Sequence, residues 1–436
     1  MSIAEKIGLR TRPQKAWALY DWANSAFVTV IIAAIFPAYY RVVSNATDAA
    51  ADASIATGRL AITTSIALTL IALMAPILGA IADAAPVKKQ FLAAFMLLGA
   101  SATAAMGFLG PDQWRLASVL FALGNIGAMG SFIFYDSLLP HIANDDELDK
   151  VSTAGYALGY VSGGVVLIAA IALIDHPSWL GLENKEQATR ATFVGVAIWW
   201  LLWAIPLFRR VPEPPIRQDT GRSPGTIVRS AFSSVRQTFR EFRQYKQASL
   251  FLLAFLIYND GIGTIIKFAV IYGGEIGVDT GDMIKAILLV QFVGIPCTFL
   301  FGHFAVRFSA KKSIYFGLVV YTGVSVLGYF MTSSLHFYLL AILIGLVQGG
   351  VQALSRSLFA TLIPQHKSSE FFSLFAIFEK FAGIFGPLLF AIVLSLAGSS
   401  RPAILAIIGF FAVGAFLLSR VQVEEGQRQA RENCNE

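Results

Sequence analysis

The second half of the chain repeats a feature of the first half. The segment Gly79-Ala80-Ile81-Ala82 is followed by Lys88-Lys89, and Gly302-His303-Phe304-Ala305 is followed at the same spacing by Lys311-Lys312. Each copy comes after one long apolar segment and before another. Two six-helix halves in a parallel arrangement are typical of secondary transporters, whose site lies between the repeats. The repeat therefore predicts a carrier of small solutes.

The composition independently predicts an all-α membrane protein. Hydrophobic residues make up 56% of the chain and charged residues 14%, and the mean hydropathy is +0.66. A chain of 436 residues has room for twelve spans of about 20 residues with short loops. We predict spans near 17–41, 60–82, 90–110, 115–139, 152–174, 190–208, 247–273, 283–305, 313–332, 335–363, 370–397 and 402–420.

These spans predict three parts of the chain: a six-helix half at 1–208, a basic linker at 209–246, and a second six-helix half with a short tail at 247–436. Within the linker, residues 227–243 carry apolar side chains at helical spacing, with basic side chains at other positions. That pattern suits an amphipathic helix on anionic lipid headgroups, and equally a strut packed under the bundle. A role in nucleic-acid binding is not expected.

The distribution of Lys and Arg predicts the orientation. Most of the 33 basic residues lie at the termini, in the linker and in the loops on the same side as these. The loops on the opposite side hold Arg41, Arg59, Arg115, Lys185, Arg190, Lys285 and Arg401. Basic loops stay in the cytoplasm. Both termini are therefore predicted to be cytoplasmic, in the plasma membrane of a cell, with a bacterial inner membrane favoured.

Motifs for other chemistry are scarce. The two cysteines, Cys297 and Cys434, give no disulfide framework, and the sequence holds no nucleotide-binding loop, C-x-x-C or H-E-x-x-H motif. No metal and no cofactor is predicted. His141 and Asp146 have the spacing found in some acyltransferases, which makes a membrane-bound enzyme one alternative. No soluble domain accompanies them, so a chance match is the favoured interpretation.

The first span opens with Trp17-Ala18-Leu19-Tyr20-Asp21-Trp22-Ala23-Asn24-Ser25-Ala26-Phe27. This stretch resembles the signature of one branch of the major facilitator superfamily, which includes the vacuolar amino-acid effluxers of fungi and many bacterial permeases. The resemblance continues at 76–83 and 135–140, and at Glu379-Lys380 with Gly386-Pro387. It covers essentially the whole chain and implies a twelve-helix carrier that works by alternating access, without fixing the substrate.

The segment after the second span departs from the general superfamily motif. Ala84 stands where a basic residue is usual, and Pro86 occupies the region of a usual glycine. A gate that depends on that basic residue is therefore not implied.

Polar side chains inside spans are the candidate site residues, because each is costly in hydrocarbon unless it faces a cavity or a partner. They form stripes on the first, fourth, seventh and tenth spans, the helices that the resemblance assigns to the cavity wall. We expect substrate contacts from Asp21, Asn24, Asn125, Asn259, Asp260, Lys267, Gln348, Gln352 and, in the eleventh span, Lys380. For Asn24, and for Ser25 and Thr264 beside these stripes, simple hydrogen bonds between helices are an equal alternative.

Three charged residues near the predicted cytoplasmic ends of spans are candidates for a gate. Asp136 and Arg356 occupy related positions in the two repeats and carry opposite charge, so a salt bridge that closes the inner mouth is at least as well supported as substrate contact. Asp83 ends the second span, where it can meet the positive N-terminal end of a neighbouring helix.

Proton coupling is predicted at an embedded carboxylate, because loss of hydration favours the protonated form of a carboxylic acid. The candidates are Asp21, Asp260 and Glu379. The cations Lys267, Arg356 and Lys380 favour a substrate that carries at least one anionic group.

Three functional hypotheses follow. The first is a secondary active transporter of a small zwitterionic or anionic metabolite, probed first with amino acids, working as a monomer and coupled to protons or facilitative. The second is a lipid or amphiphile flippase of the same fold, which 35 Phe residues permit. The third is the acyltransferase-like membrane enzyme.

Overall fold

The computed structural model describes residues 5, 7–44, 50–215, 244–381, 385–397 and 400–435, and the regular elements within them are helices. The first half contains α1 (Arg12–Val43), α2 (Ala50–Ala84), α3 (Lys88–Met106), α4 (Trp114–Ser137), α5 (Leu148–Asp175) and α6 (Lys185–Arg210). The second half contains α7 (Lys246–Glu275), α8 (Thr280–Phe308), α9 (Ala310–Tyr329), α10 (Ser334–Thr361), α11 in two parts (Ser368–Phe381 and Phe385–Ala397) and α12 (Ser400–Arg420). A last helix, α13 (Val423–Asn435), follows.

The length and the apolar outer surface of the helices are those of a membrane-spanning bundle. Among the described residues, ten helices are long and apolar enough to cross a bilayer; α9 and the two parts of α11 complete the predicted set. Large apolar side chains such as Leu73, Val319 and Leu396 are well exposed on the outside of the bundle. A continuous apolar exterior is stable in lipid and unstable in water. The predicted amphipathic helix at 227–243 lies outside the described residues.

The two halves meet along two seams. In one seam α5 packs against α8 and α10, and in the other the first part of α11 packs against α2 and α4. A cavity lies between these seams, with α1, α4, α7 and α10 contributing to its wall.

Helix α1 is less regular than the sequence indicates. Thr11 caps its start in a capping box with Gln14, and residues Phe27–Ile35 then form a π-helix before α-helix resumes at Phe36. Such π segments are rare and frequently occur at functional sites. Val28, Thr29 and Ala33 of this segment line the cavity.

One lysine of each repeated pair stabilises the end of the last helix of its half. Lys89 Nζ donates to the carbonyl of Phe208 at 2.9 Å and to that of Val211 at 2.7 Å, at the end of α6. Lys311 Nζ donates to the carbonyls of Ser419 and Val421, at 3.1 and 2.7 Å, at the end of α12. The last carbonyls of a helix lack partners within it and carry partial negative charge, so each lysine satisfies the final helix of its own half.

Candidate functional site

A cavity of about 760 Å³ lies between the two halves. Its wall includes the predicted site residues Asp21, Asn24, Gln348 and Gln352, and also Asp136, Arg356 and Glu379. Apolar residues from the starts of α8 and α10, such as Met283 and Phe337, line its other end. The cavity is therefore polar and charged at one end and largely apolar at the other.

Arg356 is the centre of the charged end. Its side chain is only 3% exposed; Nη1 donates to Asp136 Oδ1 at 3.0 Å and Nη2 to Asp21 Oδ2 at 3.3 Å. Nε donates to Ser152 Oγ at 2.9 Å, and Nη2 also donates to the Ser152 carbonyl at 3.0 Å. A guanidinium has five donors in a fixed fork, which lets it hold several acceptors at once. One cation of the second half thus joins α1, α4 and α5 of the first half.

Aromatic rings enclose this cluster. The Arg356 guanidinium carbon lies 4.7 Å from the centre of the Trp17 ring and 4.4 Å from that of Tyr156. Tyr135 stacks on Trp17 with ring centres 4.4 Å apart, and its hydroxyl donates to Asp21 Oδ2 at 2.8 Å. Aromatic faces attract cations and exclude water, which strengthens the ion pairs beneath them.

Further hydrogen bonds cross between the halves beside Arg356. Ser152 Oγ donates to the Ala353 carbonyl at 2.7 Å, and Ser357 Oγ donates to Asp149 Oδ1 at 2.5 Å. All lie at the ends of α5 and α10 that the basic-residue pattern assigns to the cytoplasm. These bonds join the two halves at that end.

Asp83 forms a second cross-half cluster at the same end. Its Oδ1 accepts from Lys88 Nζ at 2.7 Å and from the Ser369 amide at 3.1 Å, and its Oδ2 accepts from the Glu370 amide at 2.8 Å. These amides belong to the first turn of α11, so the carboxylate satisfies a helix N-terminus, as the sequence suggested. Ala84 stands where the superfamily motif usually has a basic residue, and Lys88 is the basic residue that pairs with Asp83 here. A gating role for Asp83, Asp136 and Arg356 stays a prediction.

The remaining predicted contacts fall into two groups. Asn125 does not line the cavity, because its amide donates to the Phe121 carbonyl of its own helix at 2.8 Å. Asn259 lies behind Gln352 and accepts from its amide at 2.6 Å. These two are corrections to the expected substrate contacts. The side chains of Lys267 and Lys380 lie outside what the structure describes.

Asp260 also differs from the expectation. It is fully buried and is not part of the cavity wall, and its Oδ2 accepts from the Gly386 amide, 2.9 Å away, at the start of the second part of α11. A helical stripe fixes which residues share a face, yet it cannot say whether that face meets the cavity or a neighbouring helix. Asp260 meets α11.

Glycines of α5 make room for the polar stripe of α1. A Cβ at Gly155 would lie 2.5 Å from Asp21 Oδ2, one at Gly159 would lie 2.5 Å from Ser25 Oγ, and one at Gly163 would lie 2.5 Å from Thr29 Oγ1. Real Cβ atoms essentially never approach that closely. The two helices therefore approach along a matched ladder of glycines and polar side chains.

Sequence reasoning missed several residues of the charged end, namely Trp17, Tyr135, Ser152 and Tyr156. Ser152, Tyr156 and Tyr160 recur every four residues on α5, and this stripe was the available signal. Tyr272 was also missed; it lines the cavity, and its buried hydroxyl has no hydrogen-bond partner among the described atoms.

Comparison with known proteins identifies the family. The family model described as vacuole effluxer Atg22 like matches residues 10–431. The chain belongs to this family. The uncharacterised MFS-type transporter YxiO of Bacillus subtilis is 36% identical over 95% of this chain and 96% of its own length. Autophagy-related protein 22 of Saccharomyces cerevisiae is 26% identical over 79% of this chain and 74% of its own length.

Solved structures show the fold. The human organic anion transporter MFSD10 superposes with a TM-score of 0.67 at 13% identity, over 96% of this chain and all of its own (100%). The proton:xylose symporter XylE gives a TM-score of 0.67 at 13% identity, over 94% of this chain and 95% of its own. The prediction of twelve helices in two halves with the major facilitator fold is confirmed.

This member of the Atg22-like family is a membrane transporter of the major facilitator superfamily. The matching family model describes effluxers and YxiO is an MFS-type transporter, a non-enzymatic class, so the acyltransferase hypothesis is wrong. His141 contacts Lys88 and Ser368 instead, while Asp146 is exposed in the following loop.

Proposed function

We propose that this transporter moves a small zwitterionic metabolite, with an amino acid as the first candidate, across a bacterial plasma membrane in exchange for or together with protons. The observation that carries the proposal is the cavity between the halves, closed at one end by the Arg356 cluster. The halves, 1–208 and 247–436, rock about the substrate by alternating access, and the linker 209–246 joins them in the cytoplasm.

The orientation supports an outward-facing state. Both termini are cytoplasmic by the basic-residue pattern, which places the cross-half bonds of Arg356 and Asp83 on the cytoplasmic side. The cavity wall extends from there to the starts of α8 and α10, which the same pattern places outside. Substrate therefore enters from outside in this state.

The charges of the cavity favour a zwitterion over an anion. Arg356 is already shared by Asp21 and Asp136, so it offers little uncompensated positive charge to a second anion. Two carboxylates and one guanidinium give the charged end of the cavity a net negative charge. That charge attracts the ammonium group of a zwitterion. The amide groups of Asn24 and Gln348, in the same wall, suit its carboxylate, and the Asn24 amide nitrogen is buried without a partner among the described atoms.

Proton coupling is best supported at Asp21 and Asp136. Both line the cavity, and both hold the guanidinium that closes the cytoplasmic end. Protonation of either carboxylate removes charge from the closed cluster and so weakens closure. Asp260 is a weaker candidate because it lies outside the cavity wall, and Glu379, which lines the wall, remains in the set.

Transport by purified protein in liposomes tests this function. Amino acids are screened for uptake with and without an imposed pH gradient, and uptake against a concentration gradient should require the pH gradient. Asp21→Asn or Asp136→Asn should abolish accumulation and leave counterflow exchange, because exchange between loaded states need not release the proton. Asp175→Asn, at an exposed pair with Lys185, is the matched control and should transport normally.

Two results would count against the proposal. Accumulation that survives both substitutions moves coupling to Glu379, which Glu379→Gln then tests, with Asp260→Asn alongside. Absence of any pH effect in the unmodified protein makes the carrier facilitative or coupled to another ion.

The apolar end of the cavity supports a flippase as the second candidate. Met283, Met331, Phe337 and Leu340 line it and suit an acyl chain better than a small polar solute. The same liposomes, loaded with a lipid that carries a fluorescent headgroup, test it. Bleaching from outside should reach only the outer leaflet if the protein is a solute carrier.

A further inference from the structure

His141 lies inside the second cross-half cluster, between the two halves. Its Nε2 is 3.1 Å from Ser368 Oγ at the start of α11 and 3.4 Å from Lys88 Nζ at the start of α3. Lys88 Nζ also donates to Ser368 Oγ at 2.7 Å and pairs with Asp83 Oδ1 at 2.7 Å. The imidazole therefore belongs to the group of contacts that holds α2 and α3 against α11.

The contacts favour an Nε2 that carries no proton in this state. An ammonium group has donors and no acceptor, so Lys88 can contact Nε2 only through the ring nitrogen's lone pair. Ser368 Oγ accepts from Lys88, and its own hydrogen can then point at the same lone pair. A backbone hydrogen bond also links the imidazole to Gln365, and we assign it to Nδ1 because Nε2 faces the other two groups.

Protonation of His141 breaks this arrangement. It would place an N–H facing the Lys88 ammonium at 3.4 Å, where two cations repel, and would leave the Ser368 hydrogen without its acceptor. Lys88 and His141 both belong to the first half, so moving α11 away leaves them side by side, but it withdraws Ser368 and lets water solvate both cations. The proton therefore binds the open cytoplasmic end in preference to the closed end.

Other ionisable groups lie on the helices that pack against residues 139–142, on the segment around Gln365 and Ser368, and at the start of α3. Among them are Lys15, Asp136, Asp149, Lys150, Glu213, Arg356, His366, Lys367 and Glu370. Several of them are engaged elsewhere: Asp136 pairs with Arg356, Asp149 accepts from Ser357, and Glu213 accepts from the backbone of Lys88. Lys88 carries the charged atom that contacts the ring.

We infer that His141 is a cytoplasmic pH sensor, whose protonation by an acidified cytoplasm releases the Asp83–Lys88–Ser368 cluster and favours the inward-open state. The inference rests on the proposed function, which places this closed end in the cytoplasm. It concerns a regulatory proton and is separate from the coupling proton at Asp21 and Asp136. An imidazole in water titrates near pH 6.5, and Lys88 stays beside this ring in the open state, so the closed-to-open ratio should fall by at most about tenfold between pH 7.5 and pH 5.5.

Distance measurements between spin labels test this inference in the full chain. Asp146→Cys and Glu424→Cys carry the labels, because both positions are exposed at the predicted cytoplasmic face, one in each half; Cys297→Ser and Cys434→Ser remove the native thiols. At pH 7.5 a short distance should dominate, and at pH 5.5 a longer distance should gain relative to it, by at most about tenfold. In His141→Gln the distribution should no longer change with pH. His336→Gln, at the opposite ends of the helices, is the matched control and should respond as the unmodified protein does.

Two further variants keep the outcomes distinct. His141→Lys places a permanent cation beside Lys88 and should give the long distance between the labels at pH 7.5 and at pH 5.5. Arg356→Ala should also give the long distance at both pH values, because it opens the Arg356 cluster. A pH response that persists in His141→Gln, or no response in the unmodified protein while Arg356→Ala still opens, overturns the sensor alone. If Arg356→Ala also leaves the distance unchanged, the proposed cytoplasmic gate fails as well.

Discussion

A single buried guanidinium holds the charged end of this transporter together. Arg356 satisfies two carboxylates and a serine of the first half while belonging to the second. A buried ion pair is weak evidence for stability, because desolvation offsets its attraction, yet removal of one partner leaves an uncompensated charge. Such a cluster is therefore well suited to a switch: it is stable when complete and costly when incomplete.

Arg356→Ala should open the cytoplasmic end. Asp21 is buried and Asp136 half-buried, so leaving both without a cation costs about 3 kcal/mol, the lower end of the range for a fully buried pair, which shifts the closed-to-open ratio by roughly a hundredfold. A cysteine at Val28 in the cavity wall should then label faster from the cytoplasmic side. Arg428→Ala, at an exposed pair on α13, is the control and should leave labelling unchanged.

A second background separates the effect of losing the Arg356 charge from the effect of losing the packing of its side chain. In an Asp21→Asn, Asp136→Asn background, Arg356→Ala leaves no unpaired carboxylate. It should therefore change the labelling rate much less than it does in the unmodified protein. An equal effect in both backgrounds would mean that the bulk of the side chain, and not its charge, closes the end. Unchanged labelling with lost substrate binding would instead make Arg356 a substrate contact.

At the scale of helices, each half pairs an aspartate and a hydroxyl one turn apart with glycines of a neighbouring helix. In the first half Asp21 and Ser25 face Gly155 and Gly159 of α5. In the second half Asp260 and Thr264 face Gly386 of α11. The first pair borders the cavity, whereas Asp260 is engaged with α11. The same contact of an aspartate and a hydroxyl with glycine thus borders the cavity in the first half and joins two helices in the second half.

The glycine ladder makes a prediction that a matched pair of substitutions can test. Gly155→Ala puts a methyl group 2.5 Å from Asp21 Oδ2 and 3.1 Å from the Trp17 ring, so α1 must move and the Arg356 cluster must loosen. Overpacking of this kind costs about 1–3 kcal/mol. Thermal unfolding followed by intrinsic fluorescence should show a lower midpoint. Gly164→Ala, whose methyl would meet an atom 3.8 Å away, should leave the midpoint unchanged.

Equal midpoints for the two alanine variants would show that α1 and α5 adapt freely at this seam. The close approach would then have no role in holding the cluster.

At the scale of the whole molecule, the two cross-half clusters lie at one end of the bundle and the cavity lies between the two seams. Closure at one end with access at the other is what alternating access requires of each end state. The orientation of the bundle then decides which side of the membrane loads the substrate.

The topology prediction can be checked with reporter fusions. Fusions at Gln218 and Glu436 should score as cytoplasmic, and a fusion at Gly181 as external, because the basic residues concentrate on one side. Gln218 and Glu436 on opposite sides would require an odd number of spans in the second half. That result would contradict both the orientation and the six-helix repeat.

The sequence by itself determined the membrane class, the twelve helices and the repeat, and its resemblance to the major facilitator superfamily assigned four helices to the cavity wall. Hydropathy and helical periodicity are local properties, so they survive without knowledge of packing. The opposite charges of Asp136 and Arg356 at related positions were also visible, and the structure brings these side chains into contact.

Only the tertiary structure decided which neighbour each polar stripe meets. Asp21 and Asp260 have the same kind of local sequence, yet one faces the cavity and the other a helix start. His141 contacts Ser368, which lies far from it in the chain, and no local pattern encodes that pairing. The π segment of α1 and the aromatic enclosure of Arg356 likewise depend on how helices distant in sequence pack together.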